Sequence, residues 1–244
     1  NTDREHVETA IAEFLRVMLA RPDDHASHYN LGNFHANRHE YDQAIACFET
    51  STRLRPDSIP PLVNISLAYN AVGQNDKAEA SLRQALKVDP ANAAANLNLG
   101  LLSAEMGRMG QAEAALRTAY KADPRSAVAA YNLAILVAQD RPDEAMEWCR
   151  KAADLRPQEP RYAYTMAFYQ GQRGELAEAV ATLRRLIQQF PAYVDAYALL
   201  GEIYEEMHQP QEALDTYRKA IALDDLSEDL RARFEARIAV LSSR

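Results

Sequence analysis

Basic residues are in deficit in this chain: 27 lysines and arginines stand against 35 aspartates and glutamates, a formal net charge of −8. Binding to nucleic acid regardless of base sequence depends on lysine and arginine neutralising phosphates. No basic stripe supplies them, so nucleic acid is excluded as a partner. Cysteine is scarce as well. The two, Cys47 and Cys149, belong to no CxxC or CxxCH arrangement, which argues against metal, dithiol-redox and haem-attachment sites. No apolar stretch is long enough to span a bilayer, so membrane insertion is not expected. Catalytic signatures are also missing: there is no GxSxG, no glycine-rich phosphate loop and no HExxH. Adjacent carboxylates such as Glu205 and Glu206 read as a solvated helix face, and neither an enzyme nor a cofactor is expected. No leader of the secretory type stands at the start, and the chain begins at Asn1 without methionine. It is read as trimmed, which leaves the compartment open between cytoplasm and periplasm.

What the chain does have is a repeat. Pro22, Pro56, Pro90, Pro124, Pro157 and Pro191 are separated by 34, 34, 34, 33 and 34 residues. An alanine precedes each by twelve: Ala10, Ala44, Ala78, Ala112, Ala145 and Ala179. Four residues after each alanine stands Phe14, Phe48, Leu82, Leu116, Cys149 or Leu183. Within each period the first half carries apolar residues at helical spacing, as in Leu62, Ile65 and Tyr69 or Leu133 and Val137, and so does the second, as in Ala78, Leu82 and Ala85. Two short amphipathic helices therefore face each other. Gly32, Ser66, Gly100, Ala134, Ala167 and Gly201 fall where the two axes come closest, with the alanines expected opposite them. Each proline lacks a backbone donor and restricts its predecessor, so the second helices should end near Arg55, Asp89, Asp123, Arg156 and Phe190.

This pattern resembles the tetratricopeptide repeat, a helix-turn-helix unit of 34 residues, over nearly the whole chain. The resemblance implies an all-α, right-handed α-solenoid of tandem repeats with a C-terminal capping helix. No Gly/Ser- or Pro-rich linker interrupts the array, so a single elongated solenoid is expected, each repeat contacting only its neighbours. The expected organisation is a half-repeat helix over 1–24, six repeats over 25–58, 59–92, 93–126, 127–159, 160–193 and 194–226, and a cap over 227–244. Repeat four is one residue short, and the deletion falls at Asp140 to Pro142, where a tighter turn is expected between helices that keep their register. The half-repeat carries Ala10, Phe14 and Val17. Its face around Phe14, Val17 and Met18 offers a route to homo-oligomers. At the other end Asp225 replaces the proline. Ser227, Glu228 and Asp229 read as a helix start, with Leu230, Phe234, Ile238 and Leu241 facing the array and Arg231, Arg233, Glu235 and Arg237 pointing elsewhere.

Several side chains are assigned structural roles. Cys47 and Cys149 lie three repeats apart, too far for a disulfide, which needs α-carbons within about 7 Å. Cys149 fills a core slot and Cys47 is half exposed. Five of the six histidines lie in the first 39 residues. His28 and His35 share a helix face, but no carboxylate pair or cysteine completes a metal-ligand set, so they read as core fillers. Trp148 is expected on the outer face, because its equivalents Cys47, Ser81, Ala115, Thr182 and Thr216 leave no pocket for an indole.

The resemblance places the partner-facing surface on the first helices. At the sixth repeat position stand Asn30, Asn64, Asn98 and Asn132, then Thr165 and Leu199. This ladder is similar to that of the O-linked N-acetylglucosamine transferases. A carboxamide offers a donor and an acceptor to a ligand backbone whatever its sequence. Fifth positions are Tyr29, Val63, Leu97, Tyr131, Tyr164 and Ala198, and ninth positions are Asn33, Leu67, Leu101, Ile135, Phe168 and Glu202. These are expected to be partly exposed. Tyr131, Tyr164 and Phe168 are expected to cluster as anchors between repeats four and five. The far end turns acidic through Asp195, Glu202, Glu205 and Glu206, with no basic residue on that helix.

The clamp that co-chaperones use on acidic chaperone tails is not matched. Asn33 and Asn64 are in place, but its basic positions read Tyr29, Ala94 and Asn98. The run from Asp140 to Gln170 resembles repeat tails attached to bacterial multihaem cytochromes, which would imply a periplasmic location. The expected function is a protein-interaction scaffold that binds an extended or helical peptide in a concave groove. The alternatives are a self-assembling scaffold and the targeting arm of a larger cytochrome or glycosyltransferase.

Overall fold

The computed structural model describes residues 23–224 and 226–243. Among these the chain is helical throughout and divides into two compact units, the first ending at Pro124 and the second beginning at Arg125. Where the sequence reads as one uninterrupted array, the two units are therefore described separately. Unit 1 comprises α1 (His25–Asn37), α2 (Tyr41–Leu54), α3 (Ile59–Ala71), α4 (Asn75–Val88), α5 (Ala93–Glu105) and α6 (Met109–Ala122). Unit 2 comprises α7 (Ala127–Val137), α8 (Pro142–Leu155), α9 (Pro160–Gln172), α10 (Leu176–Gln189), α11 (Val194–Glu206), α12 (Pro210–Ile221) and α13 (Glu228–Ser242). The proposed half-repeat over 1–24, including Ala10, Phe14, Val17, Met18 and Pro22, lies almost entirely outside the described residues, as does Asp225.

Within each unit every helix packs on the next, and first helices also touch, α1 on α3, α3 on α5 and α9 on α11. The pre-proline residues stop the second helices. Arg55, Asp89, Asp123, Arg156 and Phe190 are the C-caps of α2, α4, α6, α8 and α10, with φ from −140° to −130°, the extended backbone that a following proline enforces. Three first helices and α13 start on a bonded polar cap, whereas Ser58 ahead of α3 makes no side-chain cap bond. The Asp24, Asn92, Ser126 and Ser227 side chains accept the N–H of Ser27, Ala95, Ala129 and Leu230.

The small residues sit where the helices are closest, but the groups opposite are the bulky residues four after the alanines. A Cβ on Gly32 would lie 2.5 Å from the Phe48 ring, one on Gly100 2.7 Å from Leu116, and one on Gly201 2.2 Å from the Tyr217 ring. The alanines Ala44, Ala78, Ala112 and Ala179 are fully buried, and beside each of the three glycines the large side chain of the second helix fills the space that a Cβ would take.

Repeat four absorbs its deletion differently from the expectation. The other inner turns end the first helix through a residue with φ between +56° and +75°, namely His39, Gly73, Gly107, Gly174 and His208. That left-handed residue is the missing one, and α7 stops two residues early at Val137. Ala138 stays helical at φ −59° and the Arg141 N–H bonds to the Val137 carbonyl at 2.8 Å.

Candidate functional site

At the sixth position of the first helices unit 1 carries Asn30, Asn64 and Asn98 and unit 2 Asn132, Thr165 and Leu199, while the ninth carries the apolar Leu67 and Leu101 after Asn33 in unit 1 and Ile135 and Phe168 before Glu202 in unit 2. In unit 1 the Asn64 carboxamide donates to Asn33 Oδ1 at 2.6 Å and to Tyr29 Oη at 3.2 Å, tying the first repeat to the second. Asn98 donates back to the Ala94 carbonyl of its own helix at 3.0 Å, and Asn30 is exposed. In unit 2 Asn132 donates to the Val128 carbonyl at 2.8 Å. Both amide N–H groups of Asn64 are thus held by the protein, whereas Asn98 and Asn132 each spend one of their two on their own helix and no donor among the described residues bonds their carboxamide oxygens. The sequence implied a donor and an acceptor at every rung; Asn64 has both donors engaged within the protein, and Asn98 and Asn132 have one of two engaged.

The apolar row is exposed. Leu67 in unit 1 is 50% accessible, and Ile135 and Phe168 in unit 2 are 47% and 38%. Leu67, Asn98 and Leu101 line one shallow cavity of about 120 Å³ with Asn70 and Glu105. Val63 departs from the expected exposure. It is 7% accessible, because it joins the core of unit 1 with Leu62 and Ile65, whereas Tyr29, Leu97, Tyr131, Tyr164 and Ala198 remain half-buried.

The expected aromatic cluster resolves into pairs. Tyr131 packs on Tyr162 with centroids 4.7 Å apart and its hydroxyl is 3.3 Å from Thr165 Oγ1. Tyr164 meets Tyr193 edge-on at 5.8 Å, while Phe168 lies against its chain neighbour Tyr169 at 5.6 Å. Tyr162 and Tyr193, which no groove position singles out, therefore brace the two groove tyrosines. Burial raises the phenol pKa of Tyr162, Tyr164 and Tyr193, so these rings stay neutral at physiological pH.

At the acidic end Arg237 of α13 turns in rather than away. It bonds both Glu205 oxygens, with Nε 3.1 Å from Oε1, and Glu205 also accepts from the Tyr217 hydroxyl at 2.7 Å. Arg231 donates to the Ile221 carbonyl at 2.6 Å. Asp195, Glu202 and Glu206 remain exposed. Phe234 stacks on Tyr217 at 5.7 Å, and Phe234 and Leu241 are buried, so α13 covers the end of unit 2.

Other sequence readings find their places. His28 is 8% exposed and His35 bonds Glu40 at 2.7 Å. No group of three metal-ligating side chains occurs among the described residues. Cys149 is buried and Cys47 half-buried. Trp148 is not on an outer surface. It is 8% exposed, its indole N–H donates to Glu144 at 3.0 Å and the Lys151 ammonium covers its ring at 4.0 Å. Its equivalents Ala115, Thr182 and Thr216 are also buried, so small size at this position does not mark an outer face. Among the described residues no helix is long and apolar enough to cross a membrane.

Paired antiparallel helices, small residues at the crossings and an exposed row on the first helices define an all-α repeat solenoid. Three family models, all described as tetratricopeptide repeat, match residues 25–58, 64–127 with 104–160, and 172–238. The chain belongs to the tetratricopeptide repeat family. A search of curated proteins gives no match. Among solved structures, the fold is similar to pilF of Pseudomonas aeruginosa at 20% identity, with 89% of this chain and 99% of that chain covered and a TM-score of 0.72. PilW, a type IV pilus biogenesis factor, is similar at 24% identity, 86% and 97% coverage and a TM-score of 0.71. YrrB, a TPR protein with an unusual peptide-binding site, is similar at 19% identity, 78% and 97% coverage and a TM-score of 0.65.

Proposed function

We propose that this protein is a non-enzymatic scaffold that binds an extended or helical peptide segment along the first-helix faces. The observation that carries the reading is the set of exposed apolar side chains Leu67, Ile135 and Phe168, beside part-exposed carboxamides with oxygens that no donor among the described residues bonds. Lone exposed apolar residues are ordinary, but in each unit these stand at the same repeat position of a first helix. Such a surface suits a partner's side chains, and the outward oxygens of Asn98 and Asn132 suit backbone N–H groups of that partner. Asn30 and Asn33 extend the polar row in unit 1, and Leu101 extends the apolar one. Tyr131 and Tyr164, held by Tyr162 and Tyr193, are rigid anchors with little ordering entropy left to lose on binding. Glu202 belongs to the acidic end. That a similar fold, YrrB, has a peptide-binding site supports the same use here.

The test is photocrosslinking. A peptide selected from a random display library against the full chain is resynthesised with benzoylphenylalanine at single positions and the adducts are located by mass spectrometry. Adducts on α3, α5, α7 and α9 at or beside Leu67, Leu101, Ile135 and Phe168 are expected. Adducts confined to the second helices would move the binding surface there.

A further inference from the structure

Unit 2 holds a cavity of about 620 Å³ bounded by one face of α11 and one face of α13, within the roughly 300–1,000 Å³ of ligand pockets. Asp195, Leu199 and Glu202 line it from α11, spaced four and three residues apart and so on one side of the helix. Arg233, Phe234 and Arg237 line it from α13, and Tyr164 of α9 reaches it. Its walls carry opposite charge. Arg237 is committed to Glu205, but Asp195, Glu202 and Arg233 form no side-chain hydrogen bond or ion pair among the described residues. Both carboxylates act on Tyr164, whose phenol is raised first by burial and then by the charges of Asp195 and Glu202. Between the walls the floor is apolar, with Leu199 half-buried and Phe234 buried.

A purely basic ligand would meet Arg233, and a purely acidic one would meet Asp195 and Glu202. Charges on both walls are matched only by a segment that carries both signs. The geometry points to a cleft for a peptide segment in which a lysine or arginine and an aspartate or glutamate flank an apolar residue. The cation lies at Asp195 and Glu202 beside the Tyr164 ring, where an aromatic face adds attraction. The carboxylate pairs with Arg233, and the apolar side chain covers Leu199 and Phe234. This inference rests on the peptide reading above and adds the chemistry of the ligand.

The experiment uses heptapeptides selected from a random library on the full chain, labelled with fluorescein and measured by anisotropy. Asp195, Glu202 and Arg233 are exposed, so Asp195→Asn with Glu202→Gln, and Arg233→Gln separately, should retain helicity and melting curve. Replacing the peptide's arginine by citrulline should weaken wild-type binding roughly two- to fivefold per lost exposed pair, and less at high salt. That loss should vanish in the Asp195→Asn, Glu202→Gln variant, the sign of a direct pair in a double-mutant cycle. Replacing the peptide's carboxylate by its amide should behave likewise against Arg233→Gln. Selected peptides without the two-sign pattern, or charge losses unaltered by the variants, would overturn the cleft while leaving peptide binding in place. Selection of no peptide would overturn both.

Discussion

At the residue scale the fold depends on where side chains are excluded. Gly201 leaves room for the Tyr217 ring, which is pinned by its stack on Phe234 and its bond to Glu205, so it cannot swing away from a new Cβ 2.2 Å off. Gly201→Ala should cost about 1–3 kcal/mol as an overpacked core site, read as a lower urea midpoint. Gly110, with nothing within 4 Å of its Cβ position, should gain about 0.4–1 kcal/mol as alanine; equal midpoints for the two would refute the close approach. Cys149 gives a pH dependence. Burial pushes its thiol from 9.0 up to about 12, so between those pH values the folded chain keeps a proton that the unfolded chain has released. The stability contribution is then whole below pH 9 and falls as pH rises toward 12. Cys149→Ala should reduce the loss of urea midpoint between pH 8 and pH 10. In native protein a thiol reagent should modify Cys47 well before Cys149. An unchanged alkaline profile would show that the thiol is not protected in the core.

At the element scale, the sequence reveals what one repeat imposes on itself. The pairing of Gly32 with the second helix, the alanines and the pre-proline stops follow from a chemical type at a fixed place in every period. What one repeat receives from another is not periodic. The Trp148 indole, alone of its kind at its repeat position, engages Glu144 and Lys151, which no period foretells. Asn64 spends its donors on Asn33 and Tyr29 because repeat one alone combines an asparagine at the ninth position with a tyrosine at the fifth. Arg237 reaches Glu205 across two helices, and nothing in the spacing of α13 distinguishes it from a solvated arginine. The cap shows the consequence. Deleting residues from Ser227 onward removes Phe234 from Tyr217 and the guanidinium from Glu205, uncovering the apolar end of unit 2. The truncated protein should melt at a lower temperature and associate in light scattering. A monomer with an unchanged melting curve would mean that α13 is an appendage.

At the scale of the whole molecule, the chain combines a net charge of −8 with a repeated neutral surface, carboxamide and apolar rows, on the first helices of both units. The family accounts for the scaffold; the exposed side chains account for what it would hold. Asn98 and Asn132 donate within their own helices and sit part-exposed, so their change to alanine should barely alter folding. Asn64 should show a small loss through Asn33 and Tyr29. The most direct test is calorimetric titration of one library-selected peptide into the wild type and into Asn64→Ala, Asn98→Ala, Asn132→Ala, which strips both units. One hydrogen bond of about 0.5–1.5 kcal/mol per carboxamide predicts a combined loss of about 1.5–4.5 kcal/mol, roughly tenfold to two-thousandfold in Kd. The loss should be similar for peptides of unrelated sequence. Wild-type affinity in a folded triple variant would contradict the account.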